Sequence, residues 1–134
     1  MNNNDIELVK KARLNAYSPY SNFKVGALLK CRNGKVYMGC NIENNGIQSI
    51  CAERVAFSKA ISDGVLDFES ILVVGGPKDE EGTEECLPCG YCRQFMSEFV
   101  SKDFKIYTIC DGKLKEYKME EILPYGFKLW YLFD

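Results

Sequence analysis

Phe23-Lys24-Val25-Gly26-Ala27-Leu28-Leu29-Lys30-Cys31-Arg32-Asn33-Gly34-Lys35-Val36-Tyr37-Met38-Gly39-Cys40-Asn41 is the stretch that decides the fold. Phe23, Val25, Ala27, Leu29 and Cys31 fall on one face of an extended chain, with Lys24, Gly26 and Lys30 on the other, the period of a strand. Asn33-Gly34 reads as a type I′ hairpin turn, so residues 35–41 are expected to return antiparallel. Working back from this hairpin, Asn4 and Glu7 form a capping-box pair for a helix whose apolar face is Leu8, Val9, Ala12 and Ala16. The Ser18-Pro19 step ends it. Working forward, residues 44–50 read as a loop, and a second helix opens near Cys51 with Ala52, Val55, Ala56 and Ala60 in helical spacing and Gly64 as terminator.

Ile71–Val74 is a continuous apolar run before Gly75-Gly76-Pro77, which suits a strand buried on both faces. Residues 77–88 hold five acids and one lysine and read as a solvated loop. A third helix carries Tyr91, Phe95, Phe99 and Val100 on one stripe. Ile106–Cys110 and Leu114–Met119 flank Asp111-Gly112, a second hairpin signal, and a short helix is expected over Glu120–Leu123. The order αββαβαβ with a C-terminal extension describes an α/β domain, a mixed sheet with helices packed on it. With no repeat, linker or shift in composition, residues 1–134 read as one domain. The last eight residues, FKLWYLFD, include six apolar ones, which suit either a core strand or a subunit interface.

The composition narrows the chemistry. The 134 residues are 46% hydrophobic and 27% charged, an ordinary balance for a globular domain. The net charge of −2 argues against a nucleic-acid partner or an anionic membrane surface. There is no histidine, which excludes Ser-His-Asp triads, Cys-His nucleophiles and HExxH zinc sites. The polar N-terminus shows no secretory pattern and no run is long enough to span a membrane, so a cytoplasmic location is expected. Seven cysteines in a reducing compartment read as metal-binding or catalytic groups, not as a disulfide framework.

Cys51 and Cys89 stand at expected helix starts, where the positive end of the helix dipole favours a thiolate, and Cys92 completes a CxxC. Cys51, Cys89 and Cys92 around one zinc would leave the fourth tetrahedral position open, as catalytic sites do. Glu53, two residues beyond Cys51 on a helix, does not share its face and is better placed as a proton acceptor than as a ligand. Arg54 could offset the net negative charge of three thiolates on Zn²⁺. Cys31, Cys40 and Cys110, at strand positions, read as buried core thiols. Other uses of these cysteines stay open. Cys86, Cys89 and Cys92 open a ferredoxin-like CxxCxxC, although position 96, where its fourth cysteine belongs, is Met. A redox CxxC or a non-catalytic metal module is also compatible with the spacing.

Taken together, Cys51-Ala52-Glu53-Arg54 and Pro88-Cys89-Gly90-Tyr91-Cys92-Arg93-Gln94 resemble the paired motifs of the small, all-thiolate, homotetrameric cytidine deaminases. Residues 19–27 (PYSNFKVGA), 39–44 (GCNIEN) and 123–127 (LPYGF) are similar to further blocks of that family, in the same order. The resemblance implies a three-layer αβα fold with a mixed central sheet. It also implies a zinc hydrolase of pyrimidine salvage that converts cytidine and deoxycytidine to the uridines and ammonia. Cys51, Cys89 and Cys92 would hold one Zn²⁺ per subunit, and Glu53 would shuttle the proton from water to the base and the leaving amine. The Ala52 N–H would hold the pyrimidine O2, Asn41 and Glu43 the ribose 3′-hydroxyl, and Phe23 would stand beside the nucleoside. Phe127 would reach into a neighbouring subunit's site, so that a homotetramer shares its active sites. The substrate would be a free nucleoside. Two segments depart from the family pattern: residues 45–50 (NGIQSI), without its usual aromatic residue, and a longer, more acidic loop before Pro88 that carries Cys86.

Overall fold

The first helix begins where a side chain can replace a missing intrahelical acceptor. In the computed structural model, which describes residues 1–82 and 84–127, α1 spans Asn3–Leu14. The Asp5 N–H donates to the Asn2 side chain at 3.0 Å and the Asn2 N–H to the Asp5 carboxylate at 2.8 Å. The capping box is therefore built two residues earlier than Asn4 and Glu7 suggest. The buried stripe also differs from the apolar one, for it consists of Asp5, Val9 and Arg13. Both charges are satisfied internally. Lys30 pairs with Asp5 at 2.8 Å, and Arg13 is bound to backbone carbonyls described below.

Strands β1 (Phe23–Cys31) and β2 (Val36–Cys40) form the expected antiparallel hairpin. Its turn is not type I′. The loop holds three residues, the Gly34 N–H donates to the Cys31 carbonyl at 3.0 Å, and only Gly34, at φ 90°, is left-handed. That is a type I turn closed by a glycine bulge, the solution for three-residue loops. β1 is buried on both faces from Gly26 to Leu29, because helices cover both sides of the sheet.

Helix α2 (Ala52–Ser62) follows β2, and β3 (Phe68–Pro77) returns antiparallel to β1. Helix α3 (Gly90–Ser97) crosses to β4 (Lys105–Cys110), parallel to β3. β5 (Lys113–Lys118) pairs antiparallel with β4 through Asp111 and Gly112, both left-handed, as a type I′ turn requires. The short α4 (Met119–Ile122) is the last described helix. The sheet order is β2-β1-β3-β4-β5. Val9 of α1 packs with Leu28, Leu72, Val74 and Ile109 on one face. On the other, Phe57 of α2 is fully buried among Phe68, Phe95, Phe99 and Phe104, its ring centroid 4.8 Å from that of Phe68. These are the three layers of an αβα fold.

On α3 the buried positions are Cys92 and Met96, while Tyr91 points out and Phe95, like Phe99 just beyond the helix, is half-buried. The Tyr91 stripe expected from periodicity is thus rotated by about one residue. Cys31 is a core thiol, but Cys40 and Cys110, at strand ends, are only half-buried. Of the apolar terminal octet only Phe127 falls among the described residues. The fold matters to function because β2 and β3 end at the same edge of the sheet, so α2 and α3 both start there.

Candidate metal centre and active site

Two helix starts build the centre. Cys51 is the N-cap of α2 and Cys89 the N-cap of α3, both with extended backbone and neither capping its helix through its side chain. The sulfurs are therefore free to face each other. Cys51 Sγ and Cys89 Sγ lie 3.8 Å apart, and with Cys92 Sγ all three are within 4.8 Å of one another. Such spacing fits the edges of a tetrahedron with metal–sulfur bonds of about 2.3 Å. Among the described residues these three form the only such metal-ligating group, and Cys86 is not part of it. The donor set suits zinc, a soft-tolerant ion held by thiolates.

A hydrogen bond from Cys92 holds the Cys51 thiol low, at about 5, with Arg54 and Cys89 adding to it against the effect of burial. The same bond, and burial, push Cys92 up. Glu53 is only 4% exposed although charged side chains rarely are so buried. Burial pushes its carboxyl up to about 7, against its own backbone N–H and the Cys92 thiol. Arg54 Nη2 donates to the Ser49 carbonyl at 3.1 Å and reaches Cys51 Sγ at 3.8 Å, while its Nε is buried without a protein acceptor.

A short ladder sets the neighbouring residues. Ile42 pairs antiparallel with Ile50 on one side and parallel with Tyr17 on the other, which sets Asn41 opposite Cys51 and Glu43 opposite Ser49. Asn41 Nδ2 donates to the Phe23 carbonyl at 2.9 Å and its Oδ1 accepts from the Val25 N–H at 2.8 Å. Glu43 accepts from the Tyr20 and Ser21 N–H groups and the Ser21 hydroxyl. Each side chain keeps hydrogen-bonding capacity after these contacts: one amide hydrogen and one lone pair on Asn41, and a lone pair on Glu43. Ala52 is buried at the first position of α2, where a helix leaves its N–H without an intrahelical acceptor.

Phe23 and Phe127 remain partly open. Phe23 stands at the start of β1 beside Cys86, whose sulfur occupies the space a Cβ at Gly75 would fill. Phe127 is 70% exposed, its backbone held by the Gln94 side chain. The acidic side chains of the loop before Pro88 are exposed, but the loop is fastened at both ends. Arg13 donates to the carbonyls of Lys24, Gly76, Pro77 and Glu80 at 2.7–2.8 Å. At the other end Glu85 accepts from Thr108 and Tyr117.

Two residues act through close tertiary contacts that go unnoticed in a reading of the sequence alone: Gly39 behind the start of α2, and Arg13 beneath the acidic loop. Gly39 of β2 lies so close to α2 that a Cβ there would be 2.5 Å from the Ala52 carbonyl. An isolated glycine within a strand is the signal for such an approach. Arg13 carries no such signal, because a buried cation at a helix position breaks the apolar pattern it belongs to.

The family model for the cytidine and deoxycytidylate deaminase zinc-binding region matches residues 2–108. A cytidine deaminase of Sporosarcina psychrophila is 46% identical over 120 residues, covering 88% of this chain and 85% of that protein. A blasticidin-S deaminase of Bacillus cereus is 32% identical over 126 residues, covering 90% and 89%. The crystal structure of a cytidine deaminase from Burkholderia pseudomallei superposes with a TM-score of 0.83 at 39% identity, over 95% of this chain and all of that one.

Proposed function

This chain belongs to the cytidine and deoxycytidylate deaminase family, and from that premise we infer a zinc-dependent hydrolase that converts cytidine and deoxycytidine to uridine and deoxyuridine, releasing ammonia. The observation that carries this reading is the Cys51, Cys89 and Cys92 trio, with sulfurs within 4.8 Å, next to a carboxylate buried as deeply as Glu53. When bound there, zinc supplies the Lewis acidity that makes water a nucleophile near neutral pH.

The chain's own residues do the rest. Glu53 takes one proton from the attacking water and delivers it to N3 of the pyrimidine, then takes the second from the new C4 hydroxyl and passes it to the amine, which leaves as ammonia as the C4 carbonyl forms. Its position on the first turn of α2 supports this, since a carboxylate there sits beside the ligands without sharing their face. The Ala52 N–H, at the positive end of α2, holds the pyrimidine O2. Asn41 and Glu43 hold the ribose 3′-hydroxyl with the hydrogen-bonding capacity their internal contacts leave free. Phe23 lines the nucleoside's side of the pocket. Arg54 offsets the thiolate charge.

Phe127 completes the site from a neighbouring subunit of a homotetramer. An exposed phenylalanine beside an exposed Tyr125 supports an interface there. The net charge of −2 favours a free nucleoside over nucleic acid. No helix among the described residues is long and apolar enough to cross a membrane, and a cytoplasmic place in pyrimidine salvage suits a chain whose clustered cysteines read as metal ligands.

Glu53→Gln tests the assignment. The variant is expected to bind one zinc per chain and to lose at least about 100-fold in turnover. Full activity in that variant would contradict the proton-shuttle role. Offering wild-type protein cytidine, deoxycytidine and blasticidin S in turn fixes the substrate, with cytidine and deoxycytidine expected to turn over.

A further inference from the structure

We propose that Tyr91 is a positioning residue for the metal centre, its ring holding the Arg54 guanidinium against the ligand sulfurs. The proposal rests on the zinc reading above. Arg54 carries a charge that no carboxylate neutralises at ion-pair distance among the described residues. Its edge meets the Ser49 carbonyl and Cys51 Sγ, and its buried Nε has no acceptor. Those contacts fix a point on the guanidinium but not its plane.

Tyr91 fixes the plane. Arg54 Cζ lies 4.3 Å from the Tyr91 ring centroid, within the range where a cation is attracted by the negative face of the ring. The ring also keeps water off one face of the guanidinium, which strengthens what remains of its field at the sulfurs. Three thiolates on Zn²⁺ leave the site with net negative charge, so a held cation beside Cys51 retains the metal better than a mobile one.

The placement ties the two halves of the centre together. Arg54 is in the first turn of α2 and Tyr91 in the first turn of α3, between Cys89 and Cys92. CxxC spacing alone places no demand on the residue at 91, so an aromatic side chain there serves something else. Tyr91 is 67% exposed and buries no core surface, so replacing it tests the contact without opening the domain.

Zinc release to excess chelator is the measurement, made on wild-type protein, Tyr91→Phe, Tyr91→Leu, Arg54→Gln and the Arg54→Gln/Tyr91→Leu pair. Phenylalanine keeps the ring face and should release zinc at the wild-type rate. Leucine keeps bulk but no ring face, and should release it faster by about 2- to 30-fold, the range of a cation–π contact. In the Arg54→Gln background the leucine change should add nothing, because its effect passes through the guanidinium. Tyr91→Leu at the wild-type rate, Tyr91→Phe as fast as Tyr91→Leu, or full additivity in the pair would overturn the role. Wild-type protein that takes up no stoichiometric zinc would overturn the metal reading as well, a different result from a retained zinc that ignores residue 91.

Discussion

Gly39→Ala tests how the strand behind the site places its ligands. A Cβ at residue 39 would lie 2.5 Å from the Ala52 carbonyl, 2.8 Å from the Ala56 nitrogen and 2.9 Å from Val55 Cβ. Two of these are helix backbone atoms, which cannot swing aside as the end of a side chain can. To restore 3.4 Å, where ordinary contact begins, the start of α2 must move by about 0.9 Å. Metal–ligand distances tolerate only about 0.2 Å, so Cys51 would leave its place relative to Cys89 and Cys92.

Overpacking of this kind costs about 1–3 kcal/mol in stability, and disturbing the support behind a ligand weakens metal binding about 10- to 100-fold. Gly34→Ala is the control. Gly34 has φ 90° and no atom within 4 Å of the place a Cβ would take, so alanine there strains only the turn, by about 1–2 kcal/mol. Urea denaturation should show both variants destabilised, while competition with a zinc chelator should show only Gly39→Ala weakened. Equal zinc affinity in the two would refute the argument that Gly39 sets the position of Cys51.

Arg13→Met should destabilise the protein by at least about 3 kcal/mol, read as a lower urea midpoint, because four carbonyls lose a charged donor at once. An unchanged midpoint would mean the 77–82 segment does not depend on that anchor. Phe127→Ala should raise KM for cytidine while the subunit count from sedimentation, expected to be four, stays that of the wild type, and an unchanged assembly with unchanged KM would remove Phe127 from the substrate site.

Much of the fold is legible because its signals are local. The alternation in 23–31 and the two Gly-containing turns set the hairpins, and the Asn33-Gly34 turn type is ambiguous only because three-residue and two-residue loops share that dipeptide. Helix α1 is harder. Its buried face carries Asp5 and Arg13, whose partners Lys30, Gly76 and Glu80 are distant in sequence, and an apolar-period reading has no way to see them. The orientation of α3, which buries Cys92 and exposes Tyr91, likewise follows from packing against Phe57 of α2 and not from its own periodicity. The metal trio is readable because CxxC and the helix-start cysteine each have a spacing. Gly39, Tyr91 and Arg13 act through tertiary contacts, and their residue types alone state no partner.

The direct test of the central claim is the ultraviolet absorbance of cytidine incubated with zinc-replete protein. The account predicts a shift from the cytidine to the uridine spectrum with release of one ammonia per nucleoside, abolished by Glu53→Gln. An unchanged cytidine spectrum with a full complement of zinc at Cys51, Cys89 and Cys92 would contradict it.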